Sequence, residues 1–104
     1  MPGPVVIAPE GELDFARVGE FREALLRADR AAASIVVDLS SVSFIDSSGL
    51  GALVDLYGRV RRGNRQLAVV APGGTAAAVL LNLSGLQTRM PIYPTLEAAL
   101  ATSR

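Results

Sequence analysis

The sequence predicts one α/β domain in which a four-stranded, mostly parallel sheet packs against about four helices. Apolar runs of strand length alternate along the chain with segments whose apolar residues recur at helical spacing, which is the pattern of consecutive β/α units. The chain has 104 residues, a length that suits a single domain over residues 1–104 with one modest core.

Four apolar runs predict the strands: Val5–Ala8, Ile35–Leu39, Gln66–Ala71 and Met90–Tyr93. The second is rich in β-branched residues, which is typical of a central strand buried on both faces of a parallel sheet. Turns are predicted at Gly11 and over Ser40–Phe44.

Apolar spacings of three and four predict helices over about residues 16–30, 48–62 and 75–83, and from residue 95 onward. Asp14, Thr75 and Thr95 are the candidate N-caps, and Gly63 and Gly85 the stops. The expected inward faces are Val18, Phe21, Leu25 and Ala28; Leu50, Leu53, Val54, Tyr57 and Val60; Val79, Leu80 and Leu83; and Leu96, Ala99 and Leu100. Leu81 is left over, and burial is favoured over exposure for binding.

The composition excludes most catalytic chemistry. Histidine and cysteine are absent, and all ten basic residues are arginine, so the chain has no thiol nucleophile, imidazole base, ordinary zinc site or lysine for Schiff-base or P-loop chemistry. We therefore expect a protein that is not an enzyme and that holds no metal or cofactor.

The distribution of charge and apolar residues bears on location and partners. Apolar runs of about four to six residues are too short to cross a bilayer, and no signal-peptide pattern follows Met1, so a cytoplasmic location without membrane insertion is expected.

Residues 1–57 carry a net charge of −5 and residues 58–104 one of +5. Ordinary solvated surface is favoured over two faces of opposite potential that steer a partner. The cluster Arg59, Arg61, Arg62 and Arg65 lacks interleaved aromatic residues, so a solvated helix end is favoured over nucleic-acid binding.

The most informative segment is Ser43-Phe44-Ile45-Asp46-Ser47-Ser48-Gly49-Leu50-Gly51, where a strand region leads into a helix. Capping by Asp46, Ser47 or Ser48 is the favoured interpretation from these residues alone. A second interpretation is a modifiable Ser48 at the helix N-terminus, where a phosphate gains about 0.3–1 kcal/mol and the two glycines admit a partner's backbone. A third, a receiver-type metal site at Asp38 and Asp46, conflicts with the absence of lysine.

Three motifs in register resemble the STAS family of bacterial anti-sigma factor antagonists. The segment Asp46–Gly51, preceded by Val37-Asp38-Leu39 and Ser43-Phe44-Ile45, resembles the family signature. Gly11-Glu12-Leu13-Asp14 resembles its early turn and Leu83-Ser84-Gly85-Leu86 its late turn. The resemblance covers about residues 5–101 and implies the STAS fold.

The resemblance also implies a switch. The unmodified protein binds an anti-sigma factor that is a serine kinase and so frees a sigma factor; phosphorylation turns it off, and a PPM-type serine phosphatase reverses the mark. The second serine of the pair, Ser48, is the implied phosphoacceptor. The implied partner surface contains Asp14, Asp46, Ser47, Ser48, Gly49, Leu50 and Gly51.

One departure and one alternative remain. Family members begin with an extra strand, whereas only Met1–Pro4 precede Val5 here, so we hypothesise that an uncovered sheet edge is used for partner pairing or for a homodimer. The alternative function is an unphosphorylated STAS subunit of an ABC-type lipid transport complex, although those members tend to lack the Ser-Ser pair.

Overall fold

The structure is a computed structural model that describes residues 3–102, and within them the chain alternates strands with helices. The strands are β1 (Val5–Ile7), β2 (Gly11–Leu13), β3 (Ser34–Asp38), β4 (Val42–Ile45), β5 (Gln66–Val70) and β6 (Ile92–Tyr93). The helices are α1 (Val18–Ala31), α2 (Ser47–Arg62), α3 (Ala76–Ser84) and α4 (Leu96–Thr102), with a 3₁₀ helix at Leu86–Thr88. No helix in this part of the chain combines the length and apolarity that a membrane span requires.

The main sheet confirms the predicted fold class. Its four strands are all parallel and lie in the order β1-β3-β5-β6. Val36 and Val37 of β3 are both fully buried, because α1 and α2 cover one face while α4 places Ala99 against the other. This two-sided burial explains the continuous β-branched run in the sequence.

The predicted turn over Ser40–Phe44 is right only at Ser40 and Ser41, where the N–H of Val42 donates to the carbonyl of Leu39 at 3.2 Å. Val42–Ile45 is a strand, and Gly11, predicted as a turn, begins another strand. β2 and β4 form a separate two-stranded parallel sheet in which Leu13 pairs with Ile45. Strands of three and four residues are too short to show a clear apolar periodicity. Their partners lie about thirty residues away in the chain, so only the tertiary fold supplies their hydrogen bonds.

Helix α1 buries the predicted stripe of Val18, Phe21, Leu25 and Ala28, but Asp14 is not its N-cap. A turn precedes the helix, in which the carbonyl of Asp14 accepts hydrogen bonds from the N–H groups of Arg17 and Val18 at 3.0 and 2.9 Å. The helix therefore begins at Val18, and its N-cap residue, Arg17, makes no side-chain cap.

In α2 the predicted residues Leu50, Leu53, Tyr57 and Val60 face the core and Val54 does not, whereas the inward face of α3 is rotated from the prediction. In α2 the buried residues are Gly49, Ala52, Leu53, Leu56 and Val60, whereas Val54 is 40% exposed. In α3 the buried residues are Ala77 and Leu81, whereas Val79 and Leu83 are 51% and 80% exposed. Small residues such as Gly49, Ala52 and Ala77 are among those turned inward, where they allow close packing against neighbouring elements. The apolar pattern alone does not reveal this.

Other predicted ends agree with the structure. Gly85 ends α3 in the left-handed conformation with φ 76°, and Thr95 caps α4 by accepting from the N–H of Ala98 at 3.1 Å. Leu100 is 37% exposed rather than buried.

β1 is an edge strand of the main sheet. Within residues 3–102 it pairs only with β3, so no described strand lies along its outer edge.

Candidate functional site at the start of helix α2

The site is built where β4 ends and α2 begins. The N–H of Asp46 donates to the carbonyl of Leu13 at 3.3 Å, which fixes the end of β4 against β2. Asp46 then adopts an extended conformation and caps the helix: its Oδ1 accepts from the N–H groups of Ser48 at 2.8 Å and Gly49 at 3.4 Å. Two of the four unpaired donors of the helix start are thereby satisfied. The capping interpretation is correct, and Asp46 is the cap.

Asp46 also joins α2 to the turn that follows β2. Its second carboxylate oxygen, Oδ2, accepts from the N–H of Phe15 at 3.1 Å, across 31 positions of the chain. One carboxylate therefore links Phe15, the neighbour of Asp14, to the backbone of Ser48. The segments that carry the early and central motifs meet at this side chain.

The carboxylate of Asp14 itself points at Arg17. Its Oδ1 accepts from the N–H of Arg17 at 3.0 Å, and its Oδ2 forms an ion pair with the Arg17 guanidinium. That guanidinium also pairs with Glu12 at 3.0 Å. Within residues 3–102, no hydrogen bond joins Asp14 to Ser48, so the two segments are linked through Asp46 and Phe15 and not through a bond between these two residues.

Asp46 is a stable anion beside Ser48. Burial by itself would raise its pKa, but hydrogen bonds from the N–H groups of Ser48, Phe15 and Gly49 and from the Ser48 hydroxyl outweigh this effect and lower the pKa below its usual value. A carboxylate with a lowered pKa is a poor general base at neutral pH. The arrangement therefore displays a hydroxyl next to a fixed negative charge and offers little for catalysis.

The residues of the predicted site differ in exposure. Ser47 is exposed, Ser48 and Leu50 are half-buried, and Gly49 is buried. A Cβ on Gly49 would lie 2.9 Å from the carbonyl oxygen of Leu13, whereas one on Gly51 would meet no atom within 4 Å. Gly49 thus makes room for the protein's own β2, and Gly51 leaves open space beside the helix.

Two aromatic residues at the site were missed by the sequence reasoning. Phe15, whose N–H binds Asp46, is 83% exposed, and Phe44, two positions before Asp46, is 48% exposed. Large apolar side chains this exposed are typical of binding surfaces when they lie together. The sequence does contain one indication that Phe15 is exposed: it does not belong to the apolar stripe of α1.

Asp38 and Asp46, the two residues of the receiver-type interpretation, are each engaged in local hydrogen bonds. Asp38 accepts from the N–H of Ser40 at 3.0 Å, while Asp46 is occupied at the start of α2. In the part of the chain that the structure describes, no three acidic side chains are grouped so that they could hold a metal ion.

Comparison with known sequences identifies the family. The model of the STAS domain matches residues 1–99, and an anti-sigma F factor antagonist of Paenibacillus polymyxa is 34% identical over 95 residues, which cover 88% of this chain and 79% of the relative. The chain belongs to the STAS domain family. A probable sulfate transporter of Arabidopsis thaliana is 31% identical over 106 residues, covering 83% of this chain but only 16% of the transporter.

Solved structures of STAS proteins resemble this one closely. An anti-sigma factor antagonist from Mycobacterium paratuberculosis has a TM-score of 0.88 at 32% identity, with 95% of this chain and 84% of that chain covered. The phosphorylated form of the Bacillus cell fate determinant SpoIIAA has a TM-score of 0.71 at 27% identity, with 95% and 89% covered. The STAS fold that the motifs predicted is confirmed.

Proposed function

We propose that this STAS protein is an anti-sigma factor antagonist whose unphosphorylated form binds an anti-sigma factor serine kinase and releases a sigma factor. Phosphorylation of Ser48 switches it off, and a PPM-type serine phosphatase restores it. The observation that carries the proposal is the Ser48 hydroxyl in the first turn of α2, half-buried beside the Asp46 carboxylate. The protein acts in the cytoplasm as a binding module and not as an enzyme.

The geometry gives phosphorylation a large local effect. A phosphoserine adds about −1.5 to −2 charges, and the N–H groups at a helix start are its natural partners. Those of Ser48 and Gly49 already donate to Asp46. A phosphate on Ser48 would compete with this carboxylate for the same donors and repel it, which weakens the link from Asp46 to Phe15.

The proposed partner surface combines this polar centre with an apolar flank. It contains Asp14, Asp46, Ser47, Ser48, Leu50 and Gly51 from the predicted set, with Phe15 and Phe44 added. Gly49 supports the surface from below, because its Cα faces β2. A partner that buries the two phenyl rings gains apolar contact area, and a phosphate on Ser48 would have to be desolvated if the same partner covered it.

Phosphorylation by the cognate anti-sigma factor kinase tests the switch. We expect intact-mass spectrometry to show one added phosphate on the unmodified protein and on Ser47→Ala, and none on Ser48→Ala. Ser47 is the matched control because it is the adjacent, more exposed hydroxyl of the same helix turn. Phosphate on another residue would remove Ser48 from the proposal. Resistance to the kinase, with co-purification of an ABC-type transport ATPase, would favour the alternative function.

Binding of the unphosphorylated protein to the same kinase tests the partner surface. Phe15→Ala should weaken binding by about tenfold or more, as truncation of an aromatic side chain buried by a partner does. It should leave stability within about 0.5 kcal/mol, because the side chain is 83% exposed. Leu100→Ala, on the distant α4 and 37% exposed, is the control and should bind normally. Equal affinities of the two variants would place the partner elsewhere.

A further inference from the structure

A concave site lies at the opposite end of α2 from Ser48. It is a groove of about 260 Å³ between the last turns of α2, the start of β5, β6 and the end of α4, lined among others by Tyr57, Arg61, Leu67 and Tyr93. Ser48 and Arg61 are thirteen positions apart in one helix, which separates them by about 20 Å. The groove is therefore distinct from the proposed partner surface.

The groove contains an available cation. The guanidinium of Arg61 lies 5.7 Å from the centroid of the Tyr57 ring, and within residues 3–102 it forms no ion pair with a carboxylate. The Tyr57 ring is itself held in place, because its hydroxyl donates to the carbonyl of Arg89 at 2.5 Å. A guanidinium positioned over a fixed ring is ready to bind an anion without losing much conformational freedom.

The backbone of β5 offers a second donor to the same groove. β6 pairs only with Val69 and Val70 of β5, and the N–H groups of Val69 and Ala71 donate to Pro91 and Tyr93 at 2.9 Å each. Successive N–H groups of a strand point to alternate sides, so the N–H of Leu67 points to the β6 side. No residue of β6 lies opposite it there.

The other basic residue of the groove is already engaged. Arg65 donates to the carboxylate of Asp29 at 2.6 Å and to the Asp29 carbonyl at 2.6 Å, so its charge is largely compensated. Arg61 is thus the side chain that determines which ligand is attracted. Buried Val60, Leu67 and Ala68 form the floor, which favours a ligand with an apolar body.

We propose that this groove binds a small organic anion, in which a carboxylate or phosphate is attached to a single planar ring. The anionic group contacts the guanidinium of Arg61 and the N–H of Leu67, and the ring lies on the apolar floor between Tyr57 and Tyr93. The volume of about 260 Å³ is slightly below the usual range of ligand sites, about 300–1,000 Å³, which limits the ligand to about one ring.

Titrations followed by ¹H–¹⁵N spectra of the full chain test this site. The probes are phenyl phosphate and benzoate, which separate phosphate from carboxylate sources, with inorganic phosphate and benzyl alcohol as controls lacking the ring and the charge. We expect at least one ring-bearing anion to shift the amide signals of Leu67 and Arg61, with a dissociation constant on the order of 1 mM. Neither control should do so at the same concentration.

Arg61→Gln should weaken the binding of that probe by about tenfold, because it removes the charged hydrogen bond. Arg62→Gln is the matched control: it removes the same charge from the next position of α2, outside the groove, and should bind as the unmodified protein does. The proposal is overturned if both variants weaken binding equally, if inorganic phosphate binds as tightly, or if the Leu67 signal does not move.

Discussion

Helices α2 and α3 both begin at a residue whose side chain caps the first turn, yet the two caps have different reach. Thr75 caps α3 locally: its hydroxyl accepts from the N–H of Ala78 at 3.2 Å and donates to the carbonyl of Pro72 at 2.7 Å. Asp46 caps α2 and also binds the N–H of Phe15, 31 positions away. Only the second cap joins two separate segments of the fold.

This difference shows why capping and function need not be competing interpretations of Asp46. A local cap such as Thr75 stabilises its own helix and little else. The cap of α2 places a modifiable hydroxyl, a carboxylate and the turn that carries Phe15 in one hydrogen-bonded unit. A charge added at Ser48 therefore acts on both segments at once, whereas a charge at the start of α3 would stay local.

The close packing of the α2 start against β2 gives the largest predicted effect. Gly49→Ala would place a methyl group 2.9 Å from both the Leu13 carbonyl oxygen and Cγ1 of Ile45, and we expect a loss of about 1–3 kcal/mol in the free energy of unfolding from overpacking. Urea denaturation measures it. The matched control is Gly51→Ala, which meets no atom within 4 Å and should stabilise α2 by about 0.5–1 kcal/mol.

The two glycine variants distinguish packing from helix propensity. If both substitutions stabilise the protein, the start of α2 has room that the structure does not show, and the contact between α2 and β2 is looser than described. Destabilisation by Gly51→Ala alone would reverse the assignment of the packed glycine.

The caps themselves give the next effect. Thr75→Ala should cost about 1 kcal/mol and should speed hydrogen exchange at Ala78 alone. Asp46→Ala should speed exchange at Ser48 and Gly49 and also at Phe15, because all three N–H groups donate to the lost carboxylate. Exchange at Phe15 that is unchanged in Asp46→Ala would show that the turn is held by other contacts.

The main sheet and the motifs were predictable because each has a local signature. The β-branched run around Val36 indicates burial on both faces, and Gly85 marks the left-handed end of α3. The resemblance rests on short motifs whose order along the chain is visible without coordinates. Ser48 at the start of a helix followed from the same local pattern.

The rest depends on contacts between distant segments. β2 and β4 are too short for a periodicity signal and pair only in the folded chain. The rotation of α3 was mispredicted because apolar residues surround the whole helix, so only the close approach of Ala77 decides which side is buried. The bond from Asp46 to Phe15, which defines the site, has no counterpart in any local pattern.

The smallest predicted effect is on pH dependence, and it separates the charge of Asp46 from its shape. The folded state lowers the pKa of Asp46 below its usual value of 3.8, so the carboxylate stabilises the fold above that pH and loses this contribution as pH falls through the lowered pKa. Asp46→Asn keeps one oxygen that can accept from the N–H groups of Ser48 and Gly49 but removes the charge. Its thermal midpoint should lie below that of the unmodified protein at pH 7, and the difference between the two midpoints should narrow below pH 3.8.

Thr75→Ala is the control, because it removes a cap without removing a titrating group. The difference between its thermal midpoint and that of the unmodified protein should not change through the titration of Asp46. A constant difference for Asp46→Asn across this range would mean that the cap of α2 acts through geometry alone, as the cap of α3 does.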